Sequence, residues 1–414
     1  ALTANFLLAS VGMAIVIGLP VAWFYMSRFG FALLVAGILF AYRWRKMRIS
    51  TAPEFYRVRF GGRGGTFVRI YVAFWSIATG MVPWIGAGLL GLHMIFGPVF
   101  HIDEFAAQWG VDDKAITLAV VLPVLLLYVW ISGYAGVLVT DLIQSLIIIG
   151  ANVAIAIMVL HHFGGPSGLA ESIRESMGGR ADEALSAIPI PGHRILPPFV
   201  TLAWFLVTSI GFGGSMQTEG QRIFSCKTPR ESMKAFVWSE VTLFLMLLSL
   251  TLPVLGLLPL FPDLYMADPA QREEAYGMLL SEFLPAGVLG LALAGLTASV
   301  MSTIDSHLNY GAQLMTNDVA HVLYPKFTGH RMTEKQGLLF GKIVTVLIMI
   351  SSIFVVYYSN SLIGIAVTIA GLFGSQVAFA WAQWWWWRIN FWSWIAAMVA
   401  GPCIYILMRF VLPE

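Results

Sequence analysis

The sequence predicts an all-α membrane protein, a single transmembrane domain of about ten full hydrophobic spans and one partial span. Three observations carry this. Of 414 residues, 58% are hydrophobic and only 11% charged, against about 25% charged in a soluble domain. The apolar residues come in runs of bilayer length, and the loops between them hold the charge. The basic residues also fall mainly on one side. If the 43–70 loop is cytoplasmic, alternation puts 225–234, 317–336 and Arg388 on that side too. Only Lys114, Arg174, Arg180, Arg194, Arg272 and Arg409 fall opposite, with Arg28 near that face, and the acidic loops lie there as well. This is the positive-inside pattern, which a miscounted helix would scramble.

Taken in order, residues 3–17 form a half-length span ending at Gly18-Leu19-Pro20, and the second span covers about 20–42. The chain opens at Ala1 directly into an apolar run with no charged leader, so it is expected to begin inside a helix whose first part is absent. After the basic stretch Arg43–Arg48, Ser50-Thr51-Ala52-Pro53-Glu54 carries a helix-start signature: a capping hydroxyl, an early Pro and a first-turn Glu. It should open a short amphipathic helix at the membrane surface. Gly61-Gly62-Arg63-Gly64-Gly65 lacks the Lys-Ser/Thr of a phosphate loop and reads as a flexible turn. The third span is 66–97, the fourth 115–133 and the fifth 137–161, the last two joined by a tight Gly133-Tyr134-Ala135-Gly136 turn. A polar loop runs over 163–196. The sixth span, 197–224, is interrupted by Gly211-Phe212-Gly213-Gly214. The remaining spans are 235–260, 285–316, 337–357, 361–385 and 391–411. Trp384–Trp387, with Trp392 and Trp394, sits where indoles anchor in headgroups.

Net charge is +2, which gives no reason to expect a nucleic-acid partner. Cys226 and Cys403 fit no metal spacing or disulfide framework and are expected to be free thiols. His161-His162 has no further ligand nearby. With no nucleophile–base pair either, an enzyme is not expected.

Three acids fall in or near spans, where ionisable groups usually mark an ion or substrate path. Glu240 lies either in water at the interface or inside the seventh span. Asp141 is either a helix cap or a functional group. Asp305 stands beside a stripe on the eighth span, where Ser299, Ser302, Thr303 and Ser306 recur at i, i+3, i+4 and i+7 on one helix face. Hydroxyls with a carboxylate are the oxygen ligands that hard cations take. Helix packing through small residues is the competing account of the same pattern.

The chain resembles the sodium:solute symporter family. The matching pieces are Thr51-Ala52-Pro53-Glu54-Phe55 with Arg59-Phe60-Gly61-Gly62; Tyr128 through Gln144, with Ser132-Gly133 before Thr140-Asp141; Gln221-Arg222; and Ala298 through Ser306, with Asn317-Asp318. Trp385–Asn390 is similar to a bacterial branch of it. The resemblance implies a LeuT-like fold of two inverted five-helix repeats. Residues 1–162 would be the first repeat, with its first core helix incomplete, 197–385 the second, and 386–414 an extra helix. It implies a bacterial inner (plasma) membrane protein that carries a small polar organic solute with sodium as coupling ion, by alternating access. Sodium ligands would be Ser302 and Thr303 through hydroxyls, Ser299, and Leu2 on the first helix, with Asp141 at a second site. Asp305, which departs from the commoner neutral residue, and Ser306 would lie on the ion path. Trp75, Ser76, Trp84, Ser209, Phe212 and Gln217 are candidates for the solute. Expected partners are the solute, membrane lipids and the other subunits of any membrane complex. The alternative is a non-transporting relative, a sensor or membrane subunit.

Overall fold

The computed structural model describes all residues except 1–3, 27–30, 216–218, 363, 366, 370, 373–378, 380–381 and 413–414; the side chains of several others, including 129–138, 140–141 and 207–215, are also outside the description. Among the described residues there is no strand. That is what a bilayer demands of a non-barrel chain, because a helix satisfies its own backbone.

The first helix, α1 (Ala4–Ile17), is followed by α2 (Val21–Tyr25). A second descending segment runs through α3 (Phe31–Val35), a π-helical stretch (Ala36–Ala41) and α4 (Tyr42–Lys46). On the side that holds most of the basic residues, α5 (Glu54–Phe60) leads into α6 (Gly62–Trp75), the π-helical turn Ser76–Met81 and α7 (Val82–Phe100), which together form the third span. Outer helix α8 (Ile102–Trp109) precedes α9 (Asp113–His162). Then come α10 (Pro166–Met177), α11 (Ala181–Leu185), α12 (Pro198–Ser215), α13 (Glu219–Ser225), α14 (Pro229–Leu255) and α15 (Leu257–Leu260). After these, α16 (Pro269–Phe283) lies outside, α17 (Ala286–Leu314) and α18 (His321–Thr328) form the eighth span and its extension, and α19 (Glu334–Tyr358) and α20 (Phe391–Ile406) follow. Six helical stretches among the described residues are long and apolar enough to cross a membrane: 62–100, 142–162, 229–260, 286–328, 334–358 and 391–411. One continuous apolar core draws on α1, α7, α9, α14, α16, α17 and α19.

The structure differs from the sequence reading in five places. The sixth span is not interrupted at Gly211–Gly214, for α12 continues through Ser215. Glycine costs a helix only about 1 kcal/mol relative to Ala, and in lipid the unsatisfied backbone of a break costs more.

The second difference concerns the fourth and fifth spans, which form one helical run of 50 residues. Straight, it would reach about 75 Å. Its ends nevertheless meet neighbouring outer elements. Asp113 lies 3.5 Å from His93 near the end of α7, and the His162 ring lies 5.6 Å from Phe283 on α16, which itself packs on α7 at Gly277 and Ile95. The run therefore does not extend straight between these ends, and Gly133–Gly136, where the sequence predicts a tight turn, are helical at its middle.

Third, 163–196 is not a simple loop. It contains α10 and α11 and is tied to the end of α1: Leu19 N–H donates to Ala184 O at 2.8 Å, and His193 Nε2 lies 3.1 Å from Ile17 O. His193 Nδ1 accepts from the Ile195 and Leu196 amides, so Nε2 carries the proton. Gly18, at φ +78°, makes this approach possible, since a Cβ there would run into the Ala184 backbone.

Fourth, of the glycine cluster only Gly61 is a turn; Gly62–Gly65 already belong to α6. Fifth, α5 is the short amphipathic helix expected, but its apolar face meets protein. It buries Phe55 and Tyr56 in a second cluster with Phe40, Trp44 and Trp394. Trp384 joins that cluster, stacked on Phe55 at 5.0 Å, whereas Trp385, Trp386 and Trp387 are exposed.

Candidate functional site

The eighth span gathers the polar residues singled out in the sequence. α17 is helical without a break, so the i, i+3, i+4, i+7 spacing becomes one face, and Ser299, Ser302, Thr303 and Asp305 are all buried. Each settles its polar atoms differently. Thr303 Oγ1 donates to Ser299 O at 3.0 Å, the usual bond of a membrane threonine to the carbonyl four residues back. Asp305 Oδ1 accepts from Asn309 Nδ2 at 2.5 Å. The hydroxyls of Ser299 and Ser306 are sealed from solvent with no hydrogen-bond partner. Buried hydroxyls without partners are uncommon in native structures and call for a ligand or a water.

The sequence reading stopped the stripe at Ser306. The structure extends it to His307, whose Nδ1 lies 2.7 Å from Thr303 O, and to Asn309. Both are four residues beyond members already noted, so helical spacing could have found them.

Glu240 is the acid whose place the sequence leaves open. On α14 it occupies the stripe that includes the buried Phe236 and Leu243, and Phe236 packs against Gly37 of the second span. Both Glu240 carboxylate oxygens are sheltered from solvent without a hydrogen-bond partner. Of the two readings left open in the sequence, the structure takes the one inside the span. Its depth is informative: Glu240 is 15 residues below the end of α14 at Leu255, about 20 Å at 1.5 Å per residue.

The solute candidates divide. Gly88, one turn beyond Trp84, faces Val300 and Ile304 of α17, so Trp84 stands at the level of the stripe. Met81 and Ile77 face Gly311 instead, which puts Trp75 and the buried Ser76 lower, toward the cytoplasm. Leu2 and Gln217 lie outside the described residues, as do the side chains of Asp141, Ser209 and Phe212. No group of three or more His, Cys, Asp or Glu could hold a metal among the described residues.

Beneath the stripe the helix turns π-helical over Met315–Ala320 and ends in a buried ion pair. Asp318 Oδ1 accepts from Arg69 Nε at 2.6 Å and from Thr51 Oγ1 at 2.8 Å. An Arg69 terminal N–H donates to Asn317 O at 3.3 Å. Thr51 thus spends its hydroxyl on Asp318 rather than capping α5, whose start is served by the Glu54 carboxylate accepting from Ser50 N–H.

On the outer side Glu273, fully buried on α16, accepts from Leu362 N–H at 2.7 Å and Ser361 Oγ at 3.2 Å. It thereby caps the start of the tenth span from a neighbouring helix. Gly12 of α1 lies against its Cγ.

Comparison with known proteins follows the same lines. The chain is 24% identical over 348 residues to the sodium/mannose cotransporter of Bos taurus, covering 77% of this chain and 54% of that protein. It is 26% identical over 329 residues to sodium/myo-inositol cotransporter 2 of Homo sapiens, covering 74% and 46%. The chain thus spans about half the length of the curated relatives it matches. A solved sodium-coupled sialic acid symporter, in a substrate-bound outward-open state, superposes with a TM-score of 0.66 at 16% identity, over 98% of this chain and 89% of that one. The likeness supports the LeuT-like architecture expected from the sequence. The profile of the sodium:solute symporter family matches residues 1–401, and the chain belongs to that family.

Proposed function

We propose that this chain carries the core of a sodium-coupled symporter for a small polar organic solute, working by alternating access. The observation that carries this is the buried oxygen face of α17, in a chain of this family. Sodium takes oxygen ligands, and Ser299, Ser302 and Thr303 supply hydroxyl oxygens on adjacent turns. Because Ser299 O already accepts from Thr303 Oγ1, the unpartnered Ser299 hydroxyl is the better ligand of the two atoms it offers. α1 packs beside α17, so a cation held on this face would draw the two helices together in one conformation and not in the other, which is how an ion biases an equilibrium between states. Asp141 would hold a second ion, and Asp305, with Ser306, would line the ion path.

Glu240 supports the reading of the solute. It lies within the seventh span, and its two sheltered oxygens have only acceptor capacity when ionised. A polyhydroxylated solute of the kind named for the mannose and inositol relatives would bring matching donors. Trp84 would supply an apolar face, with Trp75, Ser76, Ser209, Phe212 and Gln217 as the other solute candidates. The sides assigned by charge put the loop 43–70 in the cytoplasm, as expected for a bacterial inner-membrane protein.

The test is sodium-dependent uptake of labelled myo-inositol and mannose into proteoliposomes, with sodium-induced thermal stabilisation read in parallel. Ser302→Ala with Thr303→Ala should reduce sodium-dependent stabilisation and uptake at least tenfold while leaving the melting temperature without sodium within a few degrees. Full sodium response in that double variant would sink the ion assignment.

A further inference from the structure

A second cavity lies away from the stripe, between the third, ninth and tenth spans and the end of the chain. It has a volume of about 570 Å³, within the range of small-molecule sites. Its walls are apolar, with Phe354, Val355, Ile365, Ile369 and Leu372. Its mouth is polar, with Ser359, Asn360 and Arg409. The wall from Gly364 to Leu372 descends about 12 Å at helical rise, close to the depth of one leaflet's hydrocarbon.

The charges at the mouth give the cavity a direction. Few basic residues fall on the outer side, yet one lines this mouth and another bonds a residue of its rim. Arg409 lines the mouth itself. Lys114 Nζ donates to Asn360 Oδ1 and Val356 O, both at 3.1 Å. The nearby acids are engaged elsewhere: Asp112 caps α9 at Ala115 N–H, Asp113 faces His93, and Glu273 is buried beneath Ser361 and Leu362. No ion pair involves Arg409 among the described residues.

We infer that this cavity holds one acyl chain of an anionic phospholipid from the outer leaflet, with its phosphate on Arg409 and Lys114. An apolar slot one leaflet deep fits a hydrocarbon tail, and two cations at headgroup level favour a headgroup of net negative charge, which phosphatidylcholine lacks because its choline neutralises the same phosphodiester. The inner end of the slot is Ala78 and Thr79, within the same π-helical turn that holds Ser76. Lipid in the slot therefore packs against the wall that separates it from the proposed transport path, and its occupancy would bear on the shape of that wall. π-helical turns often mark such sites.

The experiment is native mass spectrometry of the full chain equilibrated with equal phosphatidylglycerol and phosphatidylcholine. The wild type should retain one phosphatidylglycerol with about tenfold preference, the worth of a charged hydrogen bond. Arg409→Gln should erase the preference while one lipid is still held. Gly364→Leu should lose both lipids; a Cβ at Gly364 meets only the Ser361 side chain, at 3.7 Å, so the slot fills without a backbone clash. If Gly364→Leu fails to fold, Thr368→Trp fills the same slot, since the Thr368 hydroxyl bonds only Gly364 O of its own helix. Retention without headgroup preference in the wild type, or unchanged retention in the filled variants, overturns the inference and leaves only annular lipid.

Discussion

The eighth span and its π-helical extension treat polar groups in opposite ways. Over 315–320 the charges are paired: Asp318 Oδ1 takes two donors from two other segments and Arg69 is shared between Asp318 and Asn317 O, although Asp318 Oδ2 is buried without a partner. Over 299–306, four turns higher on the same element, Ser299 and Ser306 hydroxyls are buried with nothing to bond. The lower arrangement ties the α5 approach, the third span and the eighth span into one seam on the basic side. The upper one leaves oxygen atoms at membrane depth for something the chain does not supply. A polar stripe in a sequence has both meanings open to it, and hydrogen-bond satisfaction separates them.

The sharpest way to break this comparison is at the lower region. Asp318→Ala leaves the Arg69 guanidinium buried without its counter-ion, and removing one partner of a buried pair costs about 3–5 kcal/mol. Chemical unfolding in detergent should show a loss of that order. A loss under about 1 kcal/mol would mean that the seam is solvated and that the two regions are not different in kind.

At Glu240 the prediction has the reverse character. Glu240→Gln removes a buried carboxylate that nothing satisfies, so stability should hold or rise. Solute affinity should fall at least tenfold, because one acceptor becomes a donor, while the sodium response persists. Calorimetric titration with myo-inositol and with sodium separates the two effects. Loss of stability with solute binding intact would make Glu240 structural.

The smallest expected effect is at Glu274 on the outer helix α16. Burial raises its pKa above the ordinary 4.5, and the Asp113 and Asp103 charges push the same way. A carboxyl with a raised folded pKa contributes most below the unfolded value, near 4.5, and loses that contribution as pH rises through the higher folded value. Glu274→Gln should therefore flatten the decline in melting temperature above pH 4.5 and gain a fraction of a kcal/mol at pH 7. An unchanged pH profile would show that Glu274 is solvated.

Much of this was legible in the chain itself. Composition and span length made the all-helical, multi-pass character legible, because the bilayer allows so few solutions. The α17 stripe was visible because an unbroken helix converts spacing directly into a face. The break expected at Gly211–Gly214 does not occur, since glycine only weakens a helix. The order in 163–196 was hidden because it comes from backbone bonds to Ile17 and Ala184, which no local pattern announces. Thr51 read as a cap because the sequence could not show an acceptor 267 residues away. Glu240 stayed ambiguous for the same reason, its meaning lying in what fails to approach it.

The cytoplasmic ion pair also has a history within each molecule. Arg69 and Asp318 are 249 residues apart. A ribosome adding ~5–20 residues per second delivers Asp318 roughly 12–50 seconds after Arg69. During that interval the third span must reside in or beside the bilayer with an arginine that has no counter-ion, so its side chain must reach for the headgroups. The seam can close only when the eighth span has entered, and closure then withdraws the arginine from lipid. Insertion of the second half thereby completes the first, and a chain halted before residue 318 would expose a charge for quality-control machinery to find.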